Sequence, residues 1–176
     1  TALDIAWSLA QTNRFSGRCI RPYSVAEHSL LVCEIVEREF GMNLHAQLLA
    51  LMHDAHEAYC GDINTPSKDQ IGSGWRAWES RWEHLVHSCF ALLTANSVWH
   101  RDVKRADLIA LATEKRDLMP DSPRPWPVLA GVEPVGWINL RSIERERMTW
   151  EDWRDRWLDR YHELDFARNE LKVPLA

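Results

Sequence analysis

The sequence predicts an all-α protein, a bundle of about six helices. Three observations predict it: only 7 glycines occur in 176 residues, strand-like alternation of β-branched residues is almost absent, and apolar residues recur at 3/4 spacing along most of the chain. A 45% hydrophobic content supplies a sizeable core and argues against disorder.

The first helix is expected over about Ala2–Gln11. Residues Thr12–Tyr23 contain Asn13, Gly17 and Pro22 and read as a loop. Ser24 can cap a second helix, with Glu27 three residues on as in a capping box, and Gly41 ends it. A third helix is expected from Leu44 to Tyr59, stopped by Gly61. Residues Asp62–Gly74, with Pro66, read as a loop. Trp75, Trp78, Trp82, Leu85 and Cys89 share a helical stripe, giving a fourth helix over Trp75–Thr94. A fifth covers Val98–Leu118. Five of the eight prolines fall between Pro120 and Pro134, marking an irregular connection. A last helix, Ser142–Leu171, carries the stripe Trp150, Trp153, Trp157, Tyr161 and Leu164. Both tryptophan stripes are expected to pack against the body, with a dimer contact as the lesser alternative. One domain over 1–176 is expected, its core within about 7–119.

Composition excludes several classes. No stretch approaches the ~18 apolar residues of a membrane span. No basic region followed by an apolar block opens the chain, so no secretory signal is expected and a cytoplasmic setting is. Net charge is −5, which disfavours a stable nucleic-acid complex. The four cysteines show no CxxC spacing and read as reduced thiols.

The chemistry concentrates at His53-Asp54, after the apolar run Leu48-Leu49-Ala50-Leu51-Met52. An imidazole beside a carboxylate at the end of a buried helix is costly unless both are compensated, and a divalent metal compensates both. Alone, such a dipeptide is more often a satisfied structural pair. His28 on the second helix and Asp107 on the fifth change the balance, since three helices can then present a two-His, two-Asp set. Glu57 follows His53 by four residues and Asp54 by three, so one helix face is expected to carry all three. Glu57 can orient or deprotonate a metal-bound water. Arg14, Arg18 and Arg21, with Lys68, suit phosphate oxygens; the plainer reading is a solvated basic loop. Pro66 and Ile63 can wall a base or sugar. His56 is read as a neighbour of the site or a surface residue, His84 and His87 as packing or surface residues. No argument favours His45, His100 or His162.

The segments Tyr23-Ser24-Val25-Ala26-Glu27-His28-Ser29, His53-Asp54-Ala55-His56-Glu57-Ala58-Tyr59-Cys60-Gly61-Asp62 and Val103-Lys104-Arg105-Ala106-Asp107 resemble the HD-domain phosphohydrolases, in the branch of 5′-deoxynucleotidases and small phage-type deoxynucleotide (dNTP) hydrolases. The likeness runs from about Trp7 to Met119. It implies an HD-domain bundle in which His28, His53, Asp54 and Asp107 hold one divalent metal (Mn, Co, Zn, Fe or Mg). It implies that Glu57 positions the attacking water or acts as acid/base, with Asp62 near the sugar or assisting proton transfer. Arg14 matches a phosphate-binding arginine, and Phe15 stands where an aromatic residue lies near the base. The implied activity is hydrolysis of the 5′ phosphoester of a deoxynucleotide, as monophosphate or triphosphate. The implied partner is that small molecule, with homo-oligomerisation possible, in the cytoplasm or in host cytoplasm for a phage protein. The alternatives are a non-catalytic nucleotide sensor and a di-iron HD-type oxygenase.

Overall fold

The computed structural model describes residues 1–41, 43–121 and 124–171. The expected Pro-rich connection is therefore described except at 122–123, and the expected domain except at 42, 122–123 and 172–176. Among the described residues there are eight α-helices of five or more residues, plus a single-turn helix, and no strand. The all-α expectation holds, but the helices number about eight, not six.

Helix α1 is Ala2–Gln11, opened by a capping box between Thr1 and Asp4. Helix α2 is Val25–Phe40; Ser24 accepts a hydrogen bond from the Glu27 N–H, and Gly41 closes the helix in the left-handed conformation, φ 56°. The capping box expected here is half made. The Glu27 carboxylate turns away to Arg21 and Arg145, each at 2.7 Å.

Helix α3 is Leu44–Met52, capped by the Asn43 side chain. It does not run on to Tyr59 as expected. His53 Nδ1 lies 2.7 Å from the Ala50 carbonyl, the oxygen that Asp54 N–H would need for another helical turn. The backbone turns instead through i,i+3 bonds, Ala55 N–H to Met52 O and Glu57 N–H to Asp54 O. Only the single turn α4, Glu57–Cys60, follows, stopped at Gly61 with φ 77°.

The expected loop after Gly61 contains a helix, α5, Thr65–Ile71, with Asn64 as its cap and Pro66 in its first turn. Proline is well tolerated there because that N–H has no helical acceptor. Helix α6 is Ser73–Cys89 and α7 is Leu93–Leu118. The break falls at Phe90–Leu92, five residues before the expected one, where Ala91 takes φ 54°. The last expected helix is split. Ser142 caps α8, Ile143–Arg147, and a Thr149–Asp152 capping box starts α9, Trp150–Glu170.

Helices α2 and α3 pack on one another, with α7 against both and α9 crossing α1, α2 and α3. Their shared core includes Ile5, Leu9, Leu31, Ile35, Leu48, Leu51 and Trp157. The connection before α8 is tied to the C-terminal turn of α7. Arg116 donates to the Val135 and Ile138 carbonyls, and Asp117 accepts from Leu140 N–H. Arg21 adds two bonds to the Leu140 carbonyl.

The two tryptophan stripes diverge. On α9, Trp153 and Trp157 are buried as expected. On α6, Trp78 is 40% exposed and Leu85 50%, so the packing expectation fails there. The face of α6 turned inward instead holds Val86 and His87. The four cysteines are free thiols. No helix among the described residues is long and apolar enough to cross a membrane.

Candidate functional site

Three helices deliver the four expected ligands to one point. His28 comes from the first turns of α2, His53 and Asp54 from the unwound end of α3, and Asp107 from the middle of α7. His28 Nε2 lies 3.3 Å from His53 Nε2, 3.3 Å from Asp107 Oδ1 and 3.5 Å from Asp54 Oδ2. His53 Nε2 lies 3.1 Å from Asp54 Oδ2. His28, His53 and Asp107 each place one donor atom within 4.8 Å of the others.

The outer nitrogens settle what faces inward. His53 Nδ1 meets a carbonyl, which only accepts, so it carries the hydrogen. His28 Nδ1 lies 2.5 Å from Glu114 Oε1. Glu114 also accepts from the Tyr23 hydroxyl at 2.9 Å and from Arg14 at 3.2 Å. Burial opposes ionisation of Glu114, yet Arg14 and His28 hold its pKa below the ordinary value. With both Nδ1 atoms donating, each ring in its neutral form turns a bare Nε2 lone pair toward the other, beside two carboxylates. Four electron-pair donors in contact need a positive charge among them, and this set of N and O donors fits a divalent cation.

A proton on His28 meets the same need for positive charge. Burial and Arg14 oppose charge on His28, but Glu114 and Asp107 overcome them and push its pKa up to about 9. Burial raises Asp54 and Asp107, and the facing imidazoles outweigh it, holding both carboxyls below the usual range. Lys104, which the sequence did not single out, pairs with Asp107 Oδ2 at 2.6 Å.

Glu114 is the other residue sequence reasoning missed. Its carboxylate orients His28 as outer partners of ligand histidines do. The available signal was spacing, because Glu114 lies seven residues after Asp107 and so near the same face of α7.

The remaining expected site residues fall into two groups. Glu57 lines a cleft of about 240 Å³ together with His53, Asp54, Lys68, Glu79 and Asp107. It is buried, and burial with the charges of Asp54 and Asp62 pushes its carboxyl well above the ordinary range. Glu57 is not on one continuous helical face with His53, as the spacing suggested, because the turn at 53–56 intervenes. Lys68 on α5 is paired with Glu79 at 2.6 Å.

Arg14, Phe15 and Arg18 lie on the loop after α1, from which Arg14 reaches the cluster. The loop is tied down by Arg14 N–H to Tyr23 O and Val25 N–H to Thr12 O, and Phe15 and Ser16 are both left-handed, φ 54°. Such strain persists only where surroundings over-determine it. Arg14 is drawn inward to Glu114 and lies 3.6 Å from Asp54. The Phe15 ring lies 6.0 Å from that of Trp126. Arg18 and Pro66 are exposed. Arg21 is held by Glu27 and Leu140, so it does not complete the arginine group read from the sequence. Asp62 is half-buried; burial raises its pKa, with Asp54 adding to the rise and Arg14 and Lys68 opposing it. Asn64 and Ser16 join the two loops at 3.4 Å.

His56, read as a neighbour of the site or a surface residue, and His87, read as a packing or surface residue, are both buried and both line the cleft, whereas His84 is exposed.

No family model matches the chain. Relatives do. The chain is 39% identical over 137 residues to the uncharacterized protein YfdR of Escherichia coli strain K12, covering 78% of this chain and 71% of YfdR. It is 38% identical over 119 residues to an uncharacterized protein of Rhodobacter capsulatus, covering 65% of this chain and 61% of that one. It is 34% identical over 117 residues to a protein of Salmonella typhi named 5′-deoxynucleotidase YfbR, covering 52% of this chain and 59% of that protein. The chain thus spans about three fifths of the length of the latter two.

Proposed function

The chain belongs to the HD-domain family, as its relationship to YfdR and YfbR indicates, and on that premise we propose that it is a metal-dependent hydrolase of the 5′ phosphoester bond of deoxynucleotides. The observation that carries the reading is the meeting of two bare imidazole nitrogens and two carboxylates beside a cleft. The name of YfbR supports the substrate class.

In this reading His28, His53, Asp54 and Asp107 hold one divalent cation, which supplies Lewis-acid polarisation of a phosphoryl oxygen when bound. Glu57 takes a proton from the attacking water. Burial and the charges of Asp54 and Asp62 raise its pKa, which makes its ionised form a stronger base. Glu114 keeps His28 Nδ1 protonated and Nε2 free to ligate. Lys68, released from Glu79, and Arg14, beside Asp54, offset the charge of the phosphoryl group. Phe15, with Trp126 behind it, gives an aromatic face for a base. Arg18, on the loop after α1, and Pro66, in the first turn of α5, are assigned to the substrate, and Asp62 to the sugar.

A monophosphate yields deoxynucleoside and phosphate, and a triphosphate yields deoxynucleoside and triphosphate at the same bond. The test is a panel of deoxy- and ribonucleotide mono- and triphosphates with Mn, Co, Mg or Zn, reading phosphate, pyrophosphate and triphosphate release. Asp54→Ala is expected to lose turnover and the metal held by His28, His53, Asp54 and Asp107. Glu57→Gln is expected to keep the metal of that four-ligand cluster and lower kcat by about 10²–10⁴-fold. A fully active Glu57→Gln enzyme removes that residue from the mechanism, and absence of release from every substrate rejects the hydrolase reading.

A further inference from the structure

Next to the four-ligand cluster the same cleft holds a second group of donors that the proposed reaction does not use as a set. His56, Glu57 and Glu79 each place one ligand atom within 4.8 Å of the others. Glu57 and His56 come from α4 and the turn before it, and Glu79 from the inward face of α6.

Two of these side chains are more than nine-tenths buried and lack partners where they need them. His56 is 8% exposed and its Nδ1 has none; Glu57 is 4% exposed and its Oε2 has none. A third orphan borders them, since His87 Nε2 is unpartnered in a residue 2% exposed. Leaving a buried carboxylate oxygen or an imidazole nitrogen unpaired is destabilising, because the group has given up water and gained nothing in return. An anion would worsen the position of the Glu57 and Glu79 carboxylates, whereas a cation satisfies carboxylate and imidazole together. Positive charge is already drawn to this spot, because Lys68 Nζ sits 2.6 Å from Glu79 Oε1, the oxygen that also lies 3.9 Å from His56 Nε2.

We infer that the cleft contains a second divalent-cation site, formed by His56, Glu57 and Glu79 and separate from the cluster of His28, His53, Asp54 and Asp107. The mixed imidazole and carboxylate donors suit Mn, Co or Zn. The two sites share no ligand. A cation here competes with Lys68 for Glu79 and leaves the ammonium available to the cleft. The site stands on its own donors, whatever reaction the first cluster supports.

The experiment measures Mn²⁺ alone on the full chain, stripped of metal and then brought to saturation by equilibrium dialysis, with circular dichroism and a thermal transition recorded for every variant. The wild-type chain is expected to bind two Mn²⁺. Glu79→Gln and His56→Gln are each expected to lose one and retain wild-type unfolding, so that either variant serves if the other folds poorly. In Asp107→Asn the complementary ion is lost and the second-site ion stays. A wild-type chain that saturates at a single Mn²⁺, or Glu79→Gln and His56→Gln chains that still bind two, overturns the inference. Failure of the four-ligand reading shows separately, as an Asp107→Asn chain that binds as many ions as wild type.

Discussion

On α9 the tryptophan stripe enters the body. Trp157 is fully buried and stacks on Tyr161 with parallel rings 5.9 Å apart, and Trp153 is buried one turn earlier. On α6 the stripe stays outside, where Trp82 stacks on Tyr59 at 4.9 Å and Trp78 meets Trp82 edge to face at 6.3 Å. The aromatic rings of α6 shelter one another, while its other face, with Glu79 and His87, lines the cleft. A periodic stripe marks a helix and one of its faces. It does not say which face the rest of the protein covers. On α9 no other use competes for the inner face. On α6 the cleft needs charged and imidazole side chains, and the aromatic face is left at the surface.

This contrast can be broken or sharpened by substitution. The largest effect is expected from Trp157→Ala, which empties a fully buried position; a loss of about 3–5 kcal/mol is expected in urea unfolding. Trp157→Phe is expected to cost less, about 1–2 kcal/mol, because less volume is lost and removal of an indole N–H that has no partner offsets part of that loss. The smallest effect is expected from Trp78→Ala, about 1 kcal/mol, since that ring is 40% exposed and packs on its helix neighbours Trp75 and Trp82. Equal losses for Trp157→Ala and Trp78→Ala would mean that α6 is covered in solution, and sedimentation velocity would then show whether a second copy covers it.

Much of the site was legible before any coordinates. His28, His53, Asp54 and Asp107 stood out because each is a polar residue beside an apolar helical stripe, and the structure brings all four together. Glu114 did not stand out. Between Thr113 and Lys115 it reads as an ordinary surface acid, and only the packing of α2 against α7 delivers His28, Tyr23 and Arg14 to its carboxylate. The same holds for His56 and His87. Their burial comes from α6 lying across the turn after α3.

Local chemistry explains where the chain could be read well. Caps, glycines and hydrophobic period act within a few residues, so α1 and α2 were placed to within one residue from Ala2–Gln11, Ser24 and Gly41. The misjudged boundaries have local causes too, though subtler ones: the Asn64 cap with Pro66, the Thr149–Asp152 box, and a His53 ring taking the Ala50 carbonyl. Residue order therefore sufficed for the helical class and for the four donors. Tertiary packing alone decided which nitrogen of His28 turns inward, that Arg14 is drawn to Glu114, and which side of α6 meets the cleft. Those outcomes depend on partners 25 to 100 positions away in the chain, beyond the reach of any periodicity or capping rule.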